Sequence, residues 1–232
     1  MNILSLDIET TGLTYDNDVV EFAFLYAKLG ELDGKVTIED DTELDLFLPS
    51  DMDSSPEALS KHGLTKDVLK YKAKHRNMHG AMVTISNMLM DAVTHDTVIV
   101  GMNLAFDLSM LFANFNRHGI GNDITDRIKQ NLVCYDIWIA DMMLRPNATE
   151  SRNLHSLSQL YGAFTKPDHS AINDCKAAFE VCMKQTKFEA HPMEWWKQMH
   201  NEQQVKAIRM QLQLRKKYAD TNIGWPWHDD AI

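Results

Sequence analysis

Ile3-Leu4-Ser5-Leu6-Asp7-Ile8-Glu9-Thr10-Thr11-Gly12-Leu13 is the stretch on which the fold turns. Its first four residues are a short, mostly apolar run that ends at an acid. Such a run reads as a buried strand with Asp7 at its C-terminal end. Asp7 and Glu9 stand at i and i+2, so an extended backbone points both carboxylates the same way. Paired there they can hold one hard cation, and Mg²⁺ prefers carboxylate oxygens with retained water. Thr10, Thr11 and Gly12 then make a tight turn with free amides. A surface turn with two solvated acids would also contain Asp-x-Glu, but the unbroken Asp-x-Glu-Thr-Thr-Gly-Leu string is far more specific.

Outward from this stretch, Val19 to Leu29 (VVEFAFLYAKL) is rich in β-branched and aromatic residues and reads as a second strand. Lys35 to Leu48 reads as a third, after Gly30 to Gly34. Short loops between the three predict an antiparallel meander. The period then changes: Met78, Ala81, Met82, Ile85, Leu89, Ala92 and Val93 recur at helical spacing. Thr97 to Gly101 reads as a buried strand, Phe106 to His118 as a helix and Cys134 to Ile137 as the last strand. Helices follow at Leu154 to Tyr161, Ala171 to Lys187 and Glu194 to Tyr218. The pattern predicts an α/β fold, a mixed sheet of about five strands flanked by helices. His191-Pro192 interrupts it, which divides the chain into a core domain, residues 1–188, and a helical C-terminal extension, residues 189–232, with an irregular tail from Thr221 to Ile232.

Composition sets the outer limits. With 232 residues and 44% hydrophobic content the chain can bury a full core without disulfides. Its 33 acidic residues exceed its 23 Lys plus Arg, for a net charge of -10, and that charge alone argues against a nucleic-acid partner. Cys134, Cys175 and Cys182 show no metal-type spacing, and the last two lie about 10 Å apart along one helix, too far to bridge. They read as reduced thiols. The N-terminus has no basic start, and no apolar run approaches the ~20 residues that span a bilayer. A cytoplasmic protein of bacterial or phage type, without a membrane partner, is the expectation.

Two further strings carry chemistry. In Val100-Gly101-Met102-Asn103-Leu104-Ala105-Phe106-Asp107 an apolar strand ends in Gly and Asn, and an acid follows near a helix start. A helix-capping Asp would look the same. In His169-Ser170-Ala171-Ile172-Asn173-Asp174, Ser170 is a candidate N-cap. Asp174 then lies in the first turn, on the face shared with Ala178 and Val181, where an acid needs a partner or a metal. His169 stands just before that helix and can swing over the same point. Four carboxylates and a histidine meet the needs of two-metal phosphodiester hydrolysis, with a neutral imidazole to take the proton of the attacking water.

These strings resemble the DEDDh 3′-5′ exonuclease family, which includes proofreading subunits of bacterial replicative DNA polymerases. The resemblance covers about residues 1–187. LDIETTGL, VGMNLAFD and HSAIND are similar to its three motifs, the last in its His-x4-Asp form, since the Tyr-x3-Asp form would need Tyr where Ser170 stands. Supporting matches are SPEALSKHGLT (55–65) and NLHSLSQLYG (153–162).

The resemblance implies a ribonuclease H-like fold. It implies that Asp7, Glu9, Asp107 and Asp174 bind two Mg²⁺ or Mn²⁺ ions and that His169 is the general base. It places Thr10, Thr11, Gly12 and Leu13 at the 3′-terminal nucleotide, through the Thr10 and Thr11 amides and packing by Leu13, with His62, Asn103 and Phe106 near the substrate. Met102 stands where many members have His, and Asp168 where a basic residue is common; Asp168 would hold His169 in its charged form. The implied activity is metal-dependent release of nucleoside 5′-monophosphates from the 3′ end of single-stranded or frayed nucleic acid, DNA favoured. An RNA-trimming exoribonuclease or a polymerase-docking module of the same fold are the rival readings, the docking part then being the extension.

The substrate path has two candidate sources of positive charge. Lys61, Lys66, Lys70, Lys72, Lys74 and Arg76 crowd one segment beside a single acid, Asp67. They form either a phosphate-contacting patch or a solvated helix and loop. Lys206, Arg209, Arg215, Lys216 and Lys217 lie in a stretch free of acids, which could instead pack on the core through Val205, Ile208 and Leu212. Trp195, Trp196, Trp225 and Trp227 suit packing or base stacking.

Overall fold

The computed structural model describes residues 1–33, 35–215 (Arg215 by its backbone only) and 225–228. Strand β1 (Asn2–Thr10) is covered on both faces: Leu4, Leu6 and Ile8 enter one core cluster and Ile3 the other. That two-sided pattern belongs to a central strand. β2 (Val19–Leu32) pairs antiparallel with β1, and β3 (Lys35–Phe47) antiparallel with β2. The chain continues through α1 (Pro56–His62), α2 (Lys66–Lys72) and α3 (Met78–Thr94). β4 (Thr97–Gly101) then runs parallel to β1. After α4 (Leu104–Arg117) and α5 (Asn122–Asn131), β5 (Val133–Asp136) runs parallel to β4. α6 (Ile137–Leu144), α7 (Leu154–Tyr161), α8 (Ala171–Gln185) and α9 (Met193–Arg215) complete it. The sheet order is β3-β2-β1-β4-β5, the mixed five-stranded sheet that the meander and the crossover helices predict.

The two faces are covered differently. Met82, Ile85 and Leu89 of α3 and Leu108 and Phe112 of α4 pack on one, and Phe179 and Val181 of α8 on the other. The methionine-bearing stripe is therefore core. α8 is fastened over the meander by two hydrogen bonds: the Ser5 hydroxyl donates to the Cys175 carbonyl at 2.8 Å, and the Cys175 thiol donates to the Ala23 carbonyl at 3.2 Å. The acidic residues from Glu39 to Asp45 lie on β3, an edge strand, where charge discourages further strand pairing.

Three features depart from the sequence reading. Asp7 lies inside β1 rather than at its end, because pairing with β2 continues to Thr10 opposite Val19. It is nonetheless beyond the parallel part, since β4 pairs only with Asn2 to Ser5. The helices α5 and α6 were not foreseen, as each is short and has a mixed polar pattern or a continuous apolar one.

The third departure is the packing face of α9. Val205, Ile208 and Leu212 remain 46%, 49% and 57% exposed, while Trp196, Gln203 and Ala207 are buried. The buried seam runs through polar side chains because β5 is an edge strand with open backbone groups. His200 Nδ1 accepts from the Cys134 N–H at 3.0 Å, and Gln203 Oε1 from the Asp136 N–H at 2.8 Å. The expected end of this helix at Tyr218, with Lys216 and Lys217, lies outside the described residues, as do 221–224 and 229–232 of the tail. Trp196 and Trp225 are core residues, Trp195 stacks on His191 at 3.8 Å, and Trp227 meets the Phe112 ring edge-on. None of the described helices is long and apolar enough to cross a membrane.

Candidate active site

The end of β4 sets the site. Gly101 approaches the Leu6 carbonyl so closely that a Cβ would lie 3.0 Å from it and 2.5 Å from Leu104. Asn103 follows in the left-handed region (φ 57), a conformation that Asn tolerates better than most residues, and α4 starts there. Asp107 sits on its first turn, 5% exposed, and is not the cap. Because β4 has already ended, the Ile8 N–H on β1 is open, and Asp107 Oδ1 accepts it at 3.2 Å. α4 is thereby tied to the strand that carries Asp7 and Glu9.

Asp174 arrives from the other face. It is on the first turn of α8, next to the Cys175 fastening, and its Oδ1 accepts from the Asp168 N–H at 3.1 Å. His169 takes a positive φ of 62, which turns the chain sharply into α8 and leaves the imidazole at the pocket wall. Asp168 is directed to its own turn, not to His169: its carboxylate accepts from the Ser170 N–H at 3.2 Å and the Asn173 amide at 3.1 Å.

Asp7, Glu9, Asp107, Asp174 and His169 line one cavity of about 360 Å³. Thr10, Leu13, Asn103 and Phe106 line it too, and Leu13 is 67% exposed at its mouth. Thr11, Gly12 and His62 are not among the residues that line it, and the expectation of a free Thr11 amide needs correction. The Thr11 N–H donates to the Asp18 carbonyl at 2.9 Å, so this amide is not free, and its hydroxyl donates to Asn17 Oδ1 at 3.1 Å. Gly12 lies against Asn17, which a Cβ would meet at 2.6 Å. His62 accepts the Leu64 N–H at Nδ1 (3.0 Å), so Nε2 carries the proton and donates to the Thr10 carbonyl at 3.2 Å. All three brace the turn from behind.

The electrostatics of the cavity are those of crowded, buried acids. Burial, then Asp107 and Asp174, hold the Asp7 carboxyl well above the usual carboxylate range. Burial and Asp174 push Glu9 up to about 8, against the opposing pull of Lys61. Asp107 and Asp174 are also raised, burial being the main cause and backbone N–H donors opposing it. Oxygen donors that repel one another in a desolvated pocket are the donor set of a hard divalent cation. Among the described residues no three acidic, His or Cys side chains already form a closed metal cage. The carboxylates are thus gathered by the fold without being pre-closed.

Two acids beside the site escaped the sequence reading. Glu21 stands directly opposite Glu9 in the β1–β2 register and is 3% exposed; burial and Asp45 push it to about 8. Its signal was a lone acid inside an apolar strand. Asp136, 1% exposed, accepts from the Leu104 N–H at 2.9 Å and so positions the start of α4. Its signal was an acid at a strand-to-helix junction, where its other oxygen also caps α6.

The basic segments separate. Lys61 lines the cavity, whereas Lys66 pairs with Asp53 (3.1 Å) and Lys70 with Asp67 (3.8 Å). Lys206 and Arg209 of α9 line a different groove, about 670 Å³, with Met143 and Val205.

The model of the exonuclease family matches residues 4–182. The chain belongs to this family, in keeping with the resemblance its motifs carry. No curated protein matches the sequence significantly. Among solved structures the chain is similar to Escherichia coli Exonuclease I in complex with a dT13 oligonucleotide (TM-score 0.61, 19% identity, 80% of this chain and 40% of that one). A structure of Exonuclease I concerned with its processivity gives a TM-score of 0.65 at 18% identity, over 87% of this chain and 43% of that one. The moderately thermophilic Exonuclease I from Methylocaldum szegediense gives 0.60 at 18%, over 80% and 40%. At these identities the likeness is one of fold, the ribonuclease H-like exonuclease fold, and this chain spans less than half the length of those proteins.

Proposed function

We propose that this protein is a metal-dependent 3′-5′ exonuclease that releases nucleoside 5′-monophosphates from single-stranded DNA. The observation that carries the reading is the convergence of four carboxylates from β1, α4 and α8, with His169, in one cavity. The family match and the oligonucleotides named with two of the similar structures, dT13 and dA16, support the reaction and the substrate class.

In this reading Asp7, Glu9, Asp107 and Asp174 hold two Mg²⁺ or Mn²⁺ ions. When bound, the ions supply Lewis-acid activation and neutralise the charge that builds up on the phosphate. The remaining steps belong to the chain. The exposed Leu13 packs against the terminal base, and Asn103 and Phe106 form the opposite wall. His169 takes the proton of the attacking water as its oxygen bonds to phosphorus. The phosphorus–O3′ bond then breaks, and the penultimate nucleotide keeps that oxygen as its 3′-hydroxyl after protonation. Thr11, Gly12 and His62 brace the turn and keep Glu9 and Leu13 in register.

A time course on 5′-labelled and 3′-labelled DNA and RNA, single- and double-stranded, with Mg²⁺, Mn²⁺ or EDTA, tests this. The expected result is a ladder shortening from the 3′ end, dependent on metal and fastest on single-stranded DNA. Shortening from the 5′ end, or internal cuts, would overturn the direction; preference for RNA would move the substrate to the exoribonuclease reading.

A further inference from the structure

We propose that α1 carries a phosphate subsite, with Lys61 as its cation, which grips an internucleotide phosphodiester of the strand whose 3′ end occupies the catalytic cavity. This rests on the exonuclease reading above and adds a binding residue to it. The cavity is lined by five acids, the four carboxylates and Glu57. A polyanion entering it needs a compensating charge on the protein side. Lys61 is the one Lys or Arg among the described residues that lines it.

The position of Lys61 is set from both ends of its helix. The Ser55 N–H donates to the Thr11 carbonyl at 2.7 Å, and His62 Nε2 donates to the Thr10 carbonyl at 3.2 Å. Both acceptors belong to the turn that follows Glu9, so α1 is registered against the metal-side carboxylates.

Lys61 is also available. Its Nζ lies 3.7 Å from Glu57 Oε1, in an exposed pair with side chains 46% and 70% accessible. Such solvent-exposed i,i+4 pairs are weak, and a phosphate oxygen can displace the carboxylate. The neighbouring Lys66, Lys70 and Lys72 do not line the cavity; Lys66 pairs with Asp53 at 3.1 Å and Lys72 lies over the Phe47 ring at 4.0 Å. Contact with a non-reacting phosphate is made equally in the ground and transition states, so it acts on substrate affinity and not on the chemical step.

The test compares wild type with Lys61→Met, Lys61→Arg, Glu57→Gln and, as control, Lys28→Met on the far β2–β3 hairpin. Binding of 5′-fluorescein oligothymidylate is read by anisotropy in EDTA across a KCl series, and hydrolysis by kcat and KM with Mg²⁺. Lys61→Met should raise Kd and KM about tenfold with kcat within about twofold. The slope of log Kd against log salt should become shallower by about 0.7, one phosphate contact on a single strand. Lys61→Arg should restore the slope, and Glu57→Gln should tighten binding by about twofold or more, because the competing carboxylate is gone. An unchanged slope in Lys61→Met, or a loss confined to kcat, overturns the subsite; so does a Glu57→Gln variant that binds like wild type. A wild-type protein that binds oligonucleotide but releases no mononucleotide overturns the exonuclease reading instead, and the anisotropy data still judge Lys61.

Discussion

Gln203 closes both backbone hydrogen bonds of Asp136: its Oε1 accepts from the Asp136 N–H at 2.8 Å, and its Nε2 donates to the Asp136 carbonyl at 3.2 Å. The Asp136 carboxylate in turn accepts from the Leu104 N–H, where α4 begins. Asp107 rides on the first turn of that helix. A residue of the C-terminal helix is therefore three contacts from a site carboxylate. Gln203→Ala leaves a buried N–H and C=O without partners and should destabilise the fold by about 1–3 kcal/mol. A shift of the urea unfolding midpoint at constant m-value would show it; an unshifted midpoint would mean that water replaces the amide fully.

The carboxylates should be needed for metal and costly without it. Asp7→Asn and Asp174→Asn are expected to abolish metal-dependent mononucleotide release. In thermal melts, saturating Mn²⁺ should stabilise wild type by about 2.7 kcal/mol at a hundredfold excess over Kd, and neither variant comparably. Metal-free Asp7→Asn should melt higher than metal-free wild type at pH 8, since it removes a charge buried among Asp107, Asp174 and Glu9. Retained turnover in either variant would remove that residue from the ligand set.

His169 has a different signature. It lies at the exposed wall of the cavity, outside the buried acid cluster. His169→Ala should lower kcat by about 10²–10⁴ while the Mn²⁺-induced melting shift persists. A loss of the melting shift together with activity would instead make His169 a metal ligand.

Asp141 supports the cavity from a distance. Its fully buried carboxylate receives Arg145 Nε at 2.8 Å, Arg152 Nε at 2.7 Å and the Tyr161 hydroxyl at 2.8 Å. This joins α6 to α7, whose first residue, Leu154, lines the cavity. Burial pushes the carboxyl up, but the hydrogen bonds from Arg145, Tyr161 and Arg152 outweigh it and hold it below the usual range. A depressed folded value means the stabilisation is present above the unfolded carboxyl range, near 3.9, and is lost as pH falls through the folded value. Asp141→Asn should destabilise by about 3–5 kcal/mol at pH 7, with the difference from wild type shrinking below about pH 4. Denaturant titrations of both proteins at pH 7 and pH 3.5 give the comparison; a pH-independent difference would assign the loss to packing alone.

Local periodicity was legible because it is written in adjacent residues. The strand at Thr97 to Gly101 and the helix at Leu154 to Tyr161 have the bounds that their apolar spacing predicts. The i, i+2 placement of Asp7 and Glu9 follows from any extended backbone. α9 shows the limit. Its apolar residues suggested one packing face and its polar ones supplied the seam, because what faces α9 is the open edge of β5 and not an apolar surface.

By itself, then, the sequence determined the mixed sheet, the three acidic strings and their order, since each rests on spacing within a few residues. Only the tertiary structure decided what stands across from them. It put Asp107 on the Ile8 amide, 99 residues away, and Glu21 opposite Glu9. It tied Thr11 to Asp18 and His62 to the Thr10 carbonyl, and left Lys61 at the cavity. Those outcomes depend on strand register and on which backbone groups remain open where β4 stops. Both are settled by pairing between distant segments, and no local period encodes them.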